Sequence, residues 1–135
     1  MDRDIEIMAK TIYGEARGEY AKKNGGFNSL IAVGNVIMNR SIEASTSIES
    51  VCLKPKQFSC WNEKDPNRKV IENITIEDPR YRICFIIAKR IICNEIGDIT
   101  HGSNHYYSRY LENAPYWVED KTSTIKIGNH IFFKI

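Results

Sequence analysis

Asp4-Ile5-Glu6-Ile7-Met8-Ala9-Lys10-Thr11-Ile12-Tyr13-Gly14-Glu15-Ala16-Arg17-Gly18-Glu19 is the stretch that decides the reading of this chain. Ile5, Met8, Ala9, Ile12 and Ala16 follow the i, i+3, i+4, i+7, i+11 spacing of one helical face, so residues 4–19 are expected as an amphipathic helix that frays at Gly18. At 100° per residue Glu15 lies about 20° from Met8, on the shoulder of the apolar stripe. Glu19 returns to the same face four residues on. A carboxylate at the margin of an apolar face is partly desolvated, which favours its protonated form, the form a general acid needs. Gly14 and Gly18 are poor helix formers, and such glycines often permit close approach of another group. Periodicity alone points rather to solvated helix charges paired with Arg17 or Lys10.

Working outward, Lys22-Lys23-Asn24-Gly25-Gly26 reads as a turn. A second helix is expected over residues 28–40. Phe27, Leu30, Ile31, Val33, Val36, Ile37 and Met38 surround most of it, which marks a central helix. Gly34 in its middle costs about 1 kcal/mol relative to Ala, so another segment should pack closely there. Residues 52–76 show no sustained period and are expected as a long irregular binding loop. A third helix starts at Asp78-Pro79, an N-cap followed by Pro at the first helical position, and is expected to end at Gly97. His105-Tyr106-Tyr107, Thr124-Ile125-Lys126-Ile127 and His130-Ile131-Phe132-Phe133 read as strands, the last two joined at Gly128-Asn129. The expected class is α+β, with N-terminal helices and a small C-terminal antiparallel sheet.

The 135 residues favour a single domain over residues 1–135. Hydrophobic content of 42% with 27% charged residues is that of an ordinary globular domain. A net charge of +2 without a Lys/Arg cluster argues against nucleic acid, though weak basicity suits a polyanionic polymer. No apolar run reaches 18 residues, so no membrane span is expected. The first residues lack a signal-peptide layout, so the expectation is a chain on the cytoplasmic side that reaches any outer target after release or export, or else a sequence trimmed at its start. Cys84 and Cys93 stand about 13 Å apart along one helix, beyond disulfide reach. Free thiols are expected throughout, with a Cys52–Cys60 bond left open.

His101, His105 and His130 could supply zinc ligands, but no HExxH or paired-Cys spacing accompanies them; they read as structural groups or substrate contacts, with no metal. Lys56-Gln57-Phe58-Ser59-Cys60-Trp61-Asn62 sets amides and a hydroxyl beside two aromatics, the chemistry that grips sugars. Phe58 and Trp61 fit equally as core anchors of the loop. The same choice stands for Tyr106, Tyr107, Tyr116 and Trp117.

Thr11 to Glu19 resembles the opening motif of the SleB-like cell-wall hydrolases, the family of germination-specific spore cortex-lytic enzymes. Ala32-Val33-Gly34-Asn35-Val36-Ile37-Met38-Asn39-Arg40 resembles the family's second helix. Val51 to Asn62 resembles its loop, in the form of small phage-type and bacterial single-domain members. Gly102-Ser103-Asn104-His105-Tyr106-Tyr107 and Ile127 to Phe133 resemble its closing strands. The blocks keep the family order over nearly the whole chain. The resemblance implies a lysozyme-like α+β domain related to lytic transglycosylases, with Glu15 catalytic and no cofactor. Glu19 matches the motif's second Glu, a supporting position. Tyr13, Glu19, Gln57, Phe58, Ser59, His105, Tyr106 and Tyr107 are expected to contact substrate. Residues 97–104 depart from the family's usual Asp-Pro-Thr-Gly-Gly-Ala stretch, which puts the cleft lining there in doubt.

The implied partner is the glycan strand of peptidoglycan, cut between N-acetylmuramic acid and N-acetylglucosamine by a monomer. The resemblance leaves open a transglycosylase or a lysozyme outcome. Rival readings are a zinc amidase, for which the ligand pattern is missing, a non-catalytic wall-binding module, and a plain interaction domain.

Overall fold

The computed structural model describes residues 2–16 and 25–135. Helix α1 spans Asp2–Ala16, α2 Phe27–Ala44, α3 Ile48–Leu53, α4 Pro66–Asn73 and α5 Pro79–Ile92. Strands β1 (His105–Ser108), β2 (Ile125–Ile127) and β3 (His130–Phe133) follow. Short 3-10 turns lie at Ser59–Trp61 and Tyr116–Val118.

The expected stripe of α1 is the core. Met8, Ala9, Ile12 and Ala16 are fully buried and Ile5 nearly so. This face packs against α5, α2, α3 and α4, so α1 is the hub of the helical layer. Burying one such side chain contributes about 1.5–3 kcal/mol. The expected continuation through Arg17, Gly18 and Glu19, and the turn at residues 22–24, lie outside the described residues.

Helix α2 is apolar nearly all round because it serves two cores. Leu30, Val33 and Ile37 belong to the helical cluster. Ala32 and Val36 face the sheet and meet Phe132. Gly34 marks a close approach: a Cβ there would sit 2.5 Å from the Ile91 Cδ1 and 3.2 Å from the Ile12 Cδ1. Phe27 departs from the expectation. It opens the helix and is 56% exposed, although Ser29 and Leu30 in the same turn are fully buried.

The stretch expected as irregular is corrected by α3, α4 and the turn between them. Ser47 caps α3 by accepting from the Ser50 N–H. Asp65 caps α4 with Pro66 behind it, the same device that opens α5 at Asp78-Pro79. The period of α4 was hidden because only Ile71 of its eight residues is buried. Helix α5 ends earlier than Gly97. Asn94 takes the left-handed conformation (φ 59°), with its N–H on the Ile91 carbonyl and the Glu95 N–H on the Arg90 carbonyl. That is a Schellman stop with Asn in the role Gly usually fills.

The sheet order is β1-β3-β2, antiparallel throughout. Ile127 pairs with His130 across the Gly128-Asn129 connection, as expected, and Tyr106 pairs with Phe132. The connection from α5 to β1 is held by a polar seam on α2. The Asn35 Oδ1 accepts the Ile99 N–H at 3.0 Å, and the Asn39 amide donates to Asp98 and to the Ser103 carbonyl, both at 2.9 Å. Partial burial opposes charge on Asp98. Hydrogen bonds from the Thr100 side chain, the Asn39 amide and the Thr100 and Gly102 N–H groups outweigh it and hold the carboxyl below its usual range. All four cysteines are free thiols, so the Cys52–Cys60 bond left open by the sequence is not formed.

Candidate active site

Glu15 lies one residue from the C-terminal end of described α1, and the segment after α3 folds over it. Trp61 anchors that segment, its indole N–H donating to the Thr11 Oγ1 at 2.8 Å, one helical turn before Glu15. Phe58 is the second anchor and is 2% exposed. Contact with α1 is so close at Gly14 that an added Cβ would lie 2.6 Å from the Cys60 Cβ and 2.8 Å from its Sγ. Only glycine admits this approach, and the approach brings the 3-10 turn to the carboxylate.

The Glu15 carboxylate is partly buried. Its Oε2 accepts the Cys60 backbone N–H at 3.3 Å and the Ser59 hydroxyl at 3.4 Å. Its Oε1 accepts the Tyr106 hydroxyl at 2.8 Å from β1. Two chain segments distant in sequence from α1 therefore converge on its carboxylate. Burial, then the Glu15 charge and the hydrogen bond to it, raise the Tyr106 pKa well above its usual value, so this hydroxyl stays a donor at every physiological pH. The same surroundings raise the Cys60 thiol, first through burial and then through Glu15, and keep it neutral.

Arg40 adds positive charge. Its Nε donates to the Asn104 carbonyl at 2.6 Å, its Nη1 reaches the Gln57 Oε1 at 3.5 Å, and the guanidinium lies 5.1 Å from the Phe58 ring centroid. Burial lowers its pKa, while Tyr106, Cys52, Glu15 and Glu43 act in the opposite direction.

The expected substrate contacts divide into groups. Ser59 and Tyr106 join Glu15 directly, and Gln57 meets Arg40, whose charge is felt by Glu15 through space. Phe58 is a core residue beneath Arg40 rather than a surface platform for a sugar ring. Tyr13 is buried at 7% exposure, edge-on to Tyr81. Tyr107 parts from Tyr106 because neighbours on a strand point to opposite faces. Tyr106 faces Phe132 and His130, whereas Tyr107 stacks on Phe133 and meets Trp117. His105 shares that second face, 4.9 Å from the Trp117 ring, with its Nδ1 2.8 Å from the Asn104 Oδ1. Glu19 lies outside the described residues.

Sequence reasoning passed over Arg40 and the Cys60 N–H. A signal for Arg40 existed, since it is a charged residue in a helix read as apolar almost all round. A backbone donor leaves no signal in residue type. Beside Arg40 opens a cavity of about 460 Å³ lined by Arg40, Glu43, Lys54, Gln57, Asn104 and His105 among others. Among the described residues, no group of three His, Cys, Asp or Glu side chains is placed to hold a metal ion. No described helix is long and apolar enough to cross a membrane.

The chain is similar to known proteins over most of its length. The family profile described as Cell Wall Hydrolase matches residues 25–133. A spore cortex-lytic enzyme of Bacillus cereus is 28% identical over 135 residues, which are 97% of this chain and 44% of that protein. Another, from Halalkalibacterium halodurans, is 24% identical over 97% of this chain and 34% of its own length. The chain thus spans less than half of the curated relatives it matches. The crystal structure of the catalytic domain of the Bacillus cereus SleB protein superposes with a TM-score of 0.71 at 25% identity, covering 99% of this chain and 91% of that one. The catalytic domain of a germination-specific lytic transglycosylase, SleB, from Bacillus anthracis gives 0.70 at 24% identity, covering 99% and 96%.

Proposed function

This chain belongs to the cell wall hydrolase family, and from that premise we propose that residues 1–135 form a single catalytic domain that cleaves the β-1,4 bond between N-acetylmuramic acid and N-acetylglucosamine in peptidoglycan, with Glu15 as its acid and base. The observation that carries this reading is the convergence of Tyr106, Ser59 and the Cys60 N–H on the Glu15 carboxylate. A carboxyl fixed by three donors from two segments can pass its proton without first being reoriented, which is what general acid catalysis asks of geometry.

In the proposed reaction protonated Glu15 gives its proton to the glycosidic oxygen. The bond from that oxygen to the anomeric carbon breaks, and positive charge develops on the carbon. Most glycosidases meet that charge with a second carboxylate. The route proposed here needs only the one carboxylate, with the substrate's own hydroxyl in place of the second. The muramic acid C6 hydroxyl then attacks the anomeric carbon, and its proton passes to Glu15. A 1,6-anhydro ring closes and the starting protonation state returns. Arg40 stands near enough to bias the charge of the site throughout. The domain is proposed to act as a monomer along a polymer, without a metal or organic cofactor.

Mass spectrometry of the products from purified peptidoglycan tests this. Wild type should release anhydro-muropeptides whether or not a chelator is present. Glu15→Gln should lose that activity by at least about 10²–10⁴-fold. Free peptides from intact glycan, lost on chelation, would make the protein an amidase and overturn the assignment.

A further inference from the structure

The cavity beside Arg40 carries more positive charge than its described residues pair. Arg40 and Lys54 both line it. Arg40 spends its Nε on the Asn104 carbonyl and its Nη1 on a long contact to Gln57, which leaves the Nη2 side of the guanidinium without a partner among the described residues. No described carboxylate lies within ion-pair distance of Arg40 or Lys54, although other cations of the chain, Arg3, Lys10 and Arg68, are paired. Glu43 is the one acid on the lining, and its Oε2 accepts from the Asn104 amide at 2.9 Å. Counting Arg40 and Lys54 against Glu43, with His105 neutral, the lining holds one net positive charge.

His105 adds direction. Burial, then the Arg40 charge, lower its pKa, so the ring is neutral near pH 7. Its Nδ1 faces the Asn104 Oδ1, an acceptor, so Nδ1 carries the proton and Nε2 accepts. The cavity thus offers two cationic donors, a ring acceptor and the Gln57 amide, within about 460 Å³.

We propose that this cavity is a subsite for the peptide substituent of the glycan strand, with Arg40 and Lys54 binding a peptide carboxylate and the His105 Nε2 accepting a peptide N–H. The proposal rests on the peptidoglycan reading above and narrows it, because the preferred substrate becomes a strand that still bears carboxylate-containing stem peptides. A guanidinium fork with a free edge suits a carboxylate, and Lys54 supplies the second charge at the rim.

The test compares kcat/KM on two preparations freed of phosphate polymers by hydrofluoric acid, one with stem peptides and one stripped of them by an amidase. Wild type should prefer the peptide-bearing strands by about tenfold or more, the scale of one charge-assisted hydrogen bond. Lys54→Glu should bring that ratio close to one, mainly through KM. Lys69→Glu, an equal charge change on exposed α4 outside the cavity, should leave it unaltered. A wild-type ratio of one, or a preference that survives Lys54→Glu in a folded protein, overturns the subsite. Calorimetry of a soluble disaccharide-tripeptide against its peptide-free disaccharide, on Glu15→Gln protein, reads the same preference without turnover. Absence of glycosidic cleavage on both preparations would therefore count against the catalytic reading, while the calorimetric preference would still decide the subsite.

Discussion

Replacing Gly14 by Ala tests whether the loop must sit hard against α1 for the site to exist. The new Cβ would meet the Cys60 Cβ at 2.6 Å and its Sγ at 2.8 Å, while Ile71 at 3.5 Å is ordinary contact. Carbon atoms rest at about 3.5–4.0 Å, so the turn must retreat by roughly 1 Å. Overpacking of this kind costs about 1–3 kcal/mol. Ala gains up to about 1 kcal/mol in helix propensity over Gly. The expected balance is a loss of about 1 kcal/mol, a fall in Tm of about 3–5 °C for a chain of this size. The effect on activity should be larger. Retreat of the turn lengthens the Cys60 N–H contact to Glu15, already 3.3 Å, and draws Ser59 away with it. Misplacement of about 1 Å costs on the order of 10²-fold in rate. Thermal denaturation and release of glycan fragments measure the two effects. The double variant Gly14→Ala with Cys60→Gly removes both clashing atoms and keeps the backbone N–H, so it should regain most of the lost activity. A Gly14→Ala protein that is about 1 kcal/mol more stable than wild type and fully active would refute the reasoning.

Tyr106→Phe removes the 2.8 Å donor to Glu15 but keeps the ring packed on Phe132 and His130. Hydrogen bonds to charged groups contribute about 1.5–3 kcal/mol, so activity should fall about 10–100-fold with far-UV circular dichroism unchanged; an unaltered rate would remove Tyr106 from the site. His105 supplies a pH prediction. Its folded pKa lies below the unfolded value, through burial first and Arg40 second. The folded state then binds fewer protons, so its contribution to stability is complete above about pH 6.5 and is lost as pH falls through the folded pKa. Tm should therefore decline on acidification below about 6.5, and His105→Gln should flatten that part of the curve in parallel denaturation scans.

Much of the fold was legible because its signals are local. The stripe of Ile5, Met8, Ala9, Ile12 and Ala16 identified α1 and its buried face. The Asp78-Pro79 start and the strand pattern around Gly128-Asn129 depend on a few adjacent residues. Helix α4 used the same Asp-Pro start and still escaped, because one buried residue in eight makes no period. Asn35 and Asn39 were absorbed into an apolar helix, yet their amides hold the approach to β1.

The site divides along the same line. Local sequence placed Glu15 on the shoulder of a buried stripe and set glycine beside it, since helix periodicity and residue type are properties of neighbouring residues. Tertiary structure decided what surrounds the carboxylate. It chose Tyr106 over Tyr107, because the face a strand turns inward is set by its register with β3. It placed Phe58 and Tyr13 in the core, brought Arg40 to the cavity wall, and set the Cys60 N–H against Glu15. These contacts join residues 45 to 91 positions apart, and no local pattern encodes which distant segments packing brings together.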